Sequence, residues 1–266
     1  MTPLDLNAYL ARIESDRPSS PMAEALERLH LAHATHVPFE NLDIQLGRPI
    51  LLDLDHLQVK LVRDRRGGYC FEQNTLFAAA LEALGFQVTR LAARVRLGAA
   101  TLLPRTHMLL KIDIDGGSWI ADVGFGGDGL LKPVALSEGQ VARQFAWSYR
   151  LMREGDSWVL QAQQGQTWQD QYAFNLEPHF HVDYEVANHY TSTHPSSSFV
   201  RTLTAQRPTP EARYILRNRQ FSERRGDDMT IRTIADDDEL LQLLAKTFGL
   251  KFPAGTRFRC LEGQKL

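Results

Sequence analysis

The residues with the most chemistry in this 266-residue chain gather around one of its two cysteines. In Arg65-Arg66-Gly67-Gly68-Tyr69-Cys70-Phe71-Glu72-Gln73-Asn74, two glycines let the backbone turn tightly and set a thiol at the opening turn of a helix. Unpaired amides and the positive end of a helix dipole favour a thiolate at such a position. The same amides could donate to an oxyanion formed when that thiolate attacks a carbonyl. A competing reading, a cysteine packed as a small apolar residue, stays open at this point.

A cysteine nucleophile needs a base and a group that orients the base. Of the nine histidines, His107 stands out by position. It opens a strand, Met108–Ile114, that the turn at Asp115-Gly116-Gly117 folds back onto Ser118–Val123. In a hairpin centred on Gly116, paired positions sum to about 231 or 232, so His107 falls opposite 124 or 125. Asp122 is then a diagonal step away, near enough to orient the imidazole. It also interrupts the apolar run Trp119-Ile120-Ala121-Asp122-Val123, where an ionised group needs a partner. A carboxylate that merely holds strand amides is the alternative. Hairpin geometry does not bring Cys70 to this pair.

The other candidates read as scaffold. His30, His33 and His36 share a helical face, and no carboxylate or thiol pattern completes a metal site there, so a packed or solvated face is expected. His179 and His181 read as alternating positions of an extended segment. Val123-Gly124-Phe125-Gly126-Gly127-Asp128-Gly129 permits close ligand approach and could offer amides to a pyrophosphate, yet lacks the lysine and helix of a nucleotide-binding loop. Cys260, without glycine context, is expected to be a packing or surface residue.

Composition excludes several classes. A formal net charge of -2 and the absence of a basic run argue against nucleic acid as partner. No apolar run approaches the ~20 residues that span a bilayer, and MTPLDLNAYLARIESD lacks the basic and apolar regions of a secretory signal. A cytoplasmic protein with two free thiols is expected.

Around these residues the patterning predicts helices first and strands later. Leu6, Tyr9, Leu10 and Ile13 share a face, as do Met22, Leu26, Leu29 and His33. A weaker helix follows Asp53–Asp55. A sharper one runs from Cys70 through Phe77, Leu81 and Leu84 to Gly85. Thr89–Leu97 alternates as a strand, and a second hairpin, Tyr149–Arg153 with Ser157–Gln163, turns at Glu154-Gly155-Asp156. Short strands are expected from Thr167 on, then a helix over Asp238–Phe248 stopped by Gly249. This order predicts α+β rather than a parallel βαβ sheet.

Arg66-Gly67-Gly68-Tyr69-Cys70-Phe71-Glu72-Gln73-Asn74 resembles the active-site signature of the arylamine N-acetyltransferases. In the right order, so do Val37-Pro38-Phe39-Glu40-Asn41-Leu42-Asp43, Ala93-Arg94-Val95, Arg105-Thr106-His107, Ala121-Asp122-Val123-Gly124-Phe125-Gly126 and Tyr190-Thr191-Ser192-Thr193-His194-Pro195. The resemblance implies a helical bundle (1–85), an antiparallel β-barrel (86–190) and an α/β lid (191–266) about a cysteine-protease or transglutaminase-like core. It implies a Cys70–His107–Asp122 triad and acetyl-CoA as co-substrate without a metal. The chemistry would be double displacement, with transfer to an arylamine, arylhydroxylamine or arylhydrazine as in xenobiotic metabolism. By motif position Phe39, Val95 and Phe125 would line the acceptor pocket, although the two phenylalanines could equally be core aromatics. Gly126 and Gly127 would lie beside the CoA pyrophosphate. Glu40 and Arg66 would form a buried supporting pair.

Overall fold

The computed structural model describes residues 3–114 and 116–261, so Asp115 of the expected hairpin turn lies outside the described residues. The chain opens with α1 (Leu6–Arg12), α2 (Ala23–His36), the short β1 (Phe39–Glu40), α3 (Leu42–Gln45) and α4 (Leu54–Leu57), which runs on as a π-helical turn over Gln58–Arg63. Then come α5 (Cys70–Ala83) and strands β2 (Gln87–Val95), β3 (His107–Ile114), β4 (Gly117–Ala121), β5 (Val134–Ala135), β6 (Ala142–Gln144), β7 (Trp147–Glu154), β8 (Ser157–Gln164) and β9 (Thr167–Phe174). The last part holds α6 (His181–Thr193), α7 (Ser198–Arg201), β10 (Thr204–Pro208), β11 (Arg213–Arg217), β12 (Gln220–Arg225), β13 (Asp228–Thr233) and α8 (Asp237–Phe248).

The fold class is α+β, as expected. Strands β2 to β9 form an antiparallel sheet in the order β5-β4-β3-β2-β9-β8-β7-β6, curled into a nearly closed barrel. A side chain of one edge strand, β6, reaches the segment that leads into the other, β5. Gln144 of β6 accepts from the amides of Leu131 and Lys132, both at 2.9 Å, and donates to the Lys132 carbonyl at 2.7 Å. The expected register of the hairpin around Gly116 holds, Leu110 pairing with Ala121 and Ile114 with Gly117, and the second expected hairpin forms with Glu154 paired to Ser157, so that its turn is Gly155-Asp156 alone.

Strand β3 is buried on both faces, which is why His107–Ile112 reads as a nearly continuous apolar run rather than a clean alternation. Met108, Leu110 and Ile112 pack with Phe77 and Leu81 of α5, whereas Leu109 joins Leu91 and Leu160 inside the barrel. Helix α5 thus lies across the outer face of β2 and β3, and its first turn reaches the end of β3 where His107 stands. A second antiparallel sheet has the order β1-β10-β11-β12-β13 and packs against α8. Its edge, β1, comes from far earlier in the chain: Phe39 pairs with Gln206 and Glu40 with Ala205.

Three expectations need correction. His181 is not in an extended segment but opens α6. That helix leaves Val182 and Val186 exposed and buries only Tyr184, Asn188 and Thr191 among its residues, so its apolar periodicity points at solvent and hides the helical signal. Leu97 falls beyond the end of β2 and is 43% exposed. The histidines of α2 separate, with His30 and His33 fully buried and His36 only half-buried.

Candidate active site

The turn before Cys70 is held by close contacts that only glycine permits. A Cβ on Gly67 would collide with the Pro38 carbonyl oxygen, and one on Gly68 would stand 2.7 Å from Glu72 Oε2. Glu72 accepts from the Tyr69 amide at 3.1 Å and so caps α5 one residue before the thiol. Beneath this turn lies a buried charge network. Arg66 meets Glu40 at 2.7 Å and Asp43 at 3.2 Å, and Lys60 meets Asp43 and Glu72, both at 2.7 Å. Burial opposes the Lys60 ammonium, but Glu72, Glu40 and Asp43 outweigh it and hold this lysine above its usual range. The expected Glu40–Arg66 pair is therefore one edge of a larger network.

Cys70, His107 and Asp122 are brought together, and all three are buried. His107 Nε2 lies 2.7 Å from Asp122 Oδ2. The Cys70 thiol donates to the carbonyl oxygen of Thr106, the residue before His107, at 3.7 Å, and its proximity helps the imidazole keep its proton. Burial works against a charged imidazole, yet the Asp122 carboxylate more than compensates, and the ring is pushed up to about 10. Burial likewise opposes ionised Asp122, and the charge of His107 together with hydrogen bonds from His107, Asn74 and the Gly124 amide holds it below its ordinary value.

Several groups that sequence reading did not single out position this trio. Asn74, one turn along α5 from Cys70, donates to Asp122 Oδ1 at 3.0 Å and to the Met108 carbonyl at 2.8 Å, and accepts from the Val123 amide at 3.2 Å. A Cβ on Gly124 would stand 2.7 Å from Cys70 Cα, so this glycine lets the segment after β4 lie directly on α5. Tyr172 of β9 packs against His107 with ring centroids 4.7 Å apart and the planes tilted by 43°. Its buried hydroxyl is held well above its usual range, first by burial and then by the Asp122 charge. Asn74 lay within the signature stretch; nothing in the sequence near Tyr172 marked it.

The glycine loop after Asp122 is bent and clamped. Gly126 and Gly127 adopt φ of 70° and 44°, where a side chain would be strained. The Gly127 amide donates to Gln206 of β10. Arg213 of β11, 1% exposed, donates to the carbonyls of Gly127 and Gly129 at 2.6 and 2.8 Å and to the Tyr149 hydroxyl. Its guanidinium sits 4.6 Å from the Trp147 ring, with Arg224 at 4.7 Å from the same ring.

Of the three expected pocket residues, the structure groups two. Phe125 packs edge-on to His107 at 5.0 Å, and with Phe39, Asp122 and Gly126 it lines a cavity of about 20 Å³, room for a water rather than an aromatic ring. Val95 instead lines a separate cleft of about 480 Å³ with Arg94, Leu103 and Phe174. Cys260 is half-buried beside Asn218 and stands apart from the trio. Among the described residues, no group of His, Cys, Asp and Glu is arranged to hold a metal ion, and no helix is long and apolar enough to cross a membrane.

Comparison with known proteins gives a consistent result. A family model described as N-acetyltransferase matches residues 23–256. The chain is 42% identical over 249 residues to an arylamine N-acetyltransferase / N-hydroxyarylamine O-acetyltransferase of Salmonella typhimurium, covering 92% of this chain and 88% of that relative. Among solved structures, the arylamine N-acetyltransferase of Salmonella typhimurium superposes with a TM-score of 0.88 at 40% identity, over 94% of this chain and 92% of that one. The Mycobacterium marinum arylamine N-acetyltransferase in complex with CoA superposes with a TM-score of 0.88 at 36% identity, over 92% of each chain.

Proposed function

The chain belongs to the arylamine N-acetyltransferase family, and from that premise we propose that it moves an acetyl group from acetyl-CoA to an aromatic amine through a thioester on Cys70. Membership makes it an acyltransferase that acetylates arylamines with acetyl-CoA as co-substrate. The covalent route and the residue roles are the further step. They are supported chiefly by one observation, the 2.7 Å His107–Asp122 contact with the buried Cys70 thiol bonded to the carbonyl of Thr106, the residue next to His107.

In the first half-reaction Cys70 Sγ, as thiolate, attacks the thioester carbonyl of acetyl-CoA. The C–S bond to CoA breaks, and the departing CoA thiolate takes the proton carried by His107. In the second, the amine nitrogen attacks the acetyl-Cys70 carbonyl, His107 takes the amine proton, and Cys70 leaves as thiolate. Asp122 stabilises the imidazolium and fixes its orientation throughout. Aromatic amines are unprotonated at neutral pH and attack without first losing an ammonium proton. Amides at the first turn of α5 would receive the oxyanion. Gly126 and Gly127 are assigned to the CoA pyrophosphate, and Phe39 and Phe125 to the acceptor; Val95, which lines the separate cleft, joins them only if that cleft opens onto the cavity at Phe125. With the Gly127 amide engaged by Gln206, an anion at that amide requires Gln206 to swing away.

The test is intact mass after incubation with acetyl-CoA and no amine. A single acetyl adduct that maps to Cys70, disappears on adding an arylamine and is absent from Cys70→Ala is expected. No adduct with any short acyl-CoA would sink the covalent route, and CoA release sustained without an amine would mark a hydrolase instead.

A further inference from the structure

We infer that His30 is a positioning residue for the acetyl-transfer site, an uncharged staple that fixes both ends of the loop presenting Asp122 to His107. The inference rests on the reading of Asp122 given above.

His30 lies on α2, far from Asp122 in sequence, and is completely buried. The Asp122 amide donates to His30 Nε2 at 3.0 Å, and His30 Nδ1 lies 3.0 Å from the Leu131 carbonyl oxygen. An amide can only donate and a carbonyl can only accept, so one protonation state fits both contacts: neutral imidazole with its hydrogen on Nδ1. Burial, the largest influence, enforces that state by lowering the ring to about 4. The two contacted residues bracket the segment that carries the Asp122 carboxylate, Phe125 and the glycine loop. The ring itself is steadied by Phe77, edge-on at 5.8 Å.

His33, one turn along the same helix, provides an internal comparison. It is equally buried and packs on the same Phe77 at 5.3 Å. Its Nδ1 meets the Tyr9 hydroxyl at 2.8 Å and its contacts stay within the helical part of the chain. Loss of either histidine removes comparable buried volume, but only loss of His30 leaves the Asp122 amide without its acceptor.

The experiment measures single-turnover acetylation of Cys70 from acetyl-CoA by rapid-quench intact mass, scaled to the folded fraction, in His30→Leu, His30→Gln and His33→Leu. His30→Leu is expected to acylate on the order of 10–100-fold more slowly, the penalty of a slightly misplaced catalytic group. Gln offers an oxygen and a nitrogen spaced much as the two imidazole nitrogens are, and should restore the rate to within about threefold. His33→Leu should lower the melting temperature while acylating at the wild-type rate. A wild-type rate in His30→Leu, no rescue by His30→Gln, or an equal loss in His33→Leu overturns the inference. Asp122→Asn separates the two levels: if it acylates normally, the reading of Asp122 falls and this inference with it. If Asp122→Asn is slow while His30→Leu is fast, only the role of His30 falls.

Discussion

Gly124 rests directly on the backbone of Cys70: a Cβ there would stand 2.7 Å from Cys70 Cα and 2.9 Å from Asn74 Nδ2. The contact seats the segment after Asp122 on the first turn of α5, and it is what allows one helix end and one hairpin end to share an active site. Gly124→Ala should therefore cost about 1–3 kcal/mol, the usual penalty of overpacking against a neighbour that cannot give. Acetylation should fall more than the stability loss explains. Urea unfolding beside adduct formation at saturating acetyl-CoA checks this; a variant of wild-type stability and rate contradicts it.

The His107–Asp122 pair sets a pH window. Buried His107 is raised to about 10 from the ordinary imidazole value of 6.5. Its contribution to stability is therefore complete below 6.5 and lost progressively as pH rises from there through the folded value. Asp122 is held below the ordinary carboxylate value of 3.8, so its contribution is present above 3.8 and lost as pH falls through the depressed value. The stability difference between wild type and Asp122→Asn should be level between pH 3.8 and 6.5 and shrink on both limbs. Unfolding free energies from pH 3 to pH 10.5 test this, and a difference independent of pH would mean the two groups are uncoupled.

Arg66 neutralises two buried carboxylates at once, Glu40 and Asp43. Arg66→Met should cost about 3–5 kcal/mol, the range for breaking a buried pair from one side. Glu40→Leu combined with Arg66→Met should recover part of that loss, since Asp43 keeps Lys60 at 2.7 Å. Chemical denaturation of the single and double variants decides it: a double variant worse than the single would show the pair to be a net stabiliser rather than a mutually dependent couple.

Arg213 reaches from the second sheet to the carbonyls of Gly127 and Gly129. A lysine keeps the charge but cannot hold two carbonyls and the Tyr149 hydroxyl in one planar fork. Arg213→Lys should raise KM for acetyl-CoA about tenfold, the equivalent of one weakened charged hydrogen bond, with a smaller change in kcat. Steady-state kinetics with acetyl-CoA varied at fixed arylamine measures the split; a fall confined to kcat would detach this loop from donor binding.

What could be read from the sequence was local. The register around Gly116 follows from side-chain alternation on two strands, and it placed Asp122 beside His107 before any tertiary information. The tight turn that sets Cys70 at the start of α5 was equally legible from Gly67 and Gly68, whereas the cap made by Glu72 was not. Contacts that depend on distant segments were not. Gly124 was read for ligand approach, while its close neighbour is Cys70, on the far side of β2, β3 and β4 in the chain. His30 carried no signal beyond helical spacing, because a histidine that staples a loop and one that fills a core look alike in one dimension. Helix α6 escaped because its apolar residues, Val182 and Val186, are on the outside.

Strand β1 adds a constraint of timing. Phe39 and Glu40 bridge to nearby Gly68 but pair as a strand with Gln206 and Ala205, so the peptide ahead of the nucleophile cannot complete its pairing during synthesis until β10 has emerged. Contacts so far apart in sequence slow folding, because the intervening chain must close as a loop before they form. Until then the first helices carry an unpaired edge and an unfinished thiol site. A nascent chain stalled before β10 thus keeps this edge open and is prone to aggregate, which ties the finished surroundings of the thiol to synthesis of the second sheet.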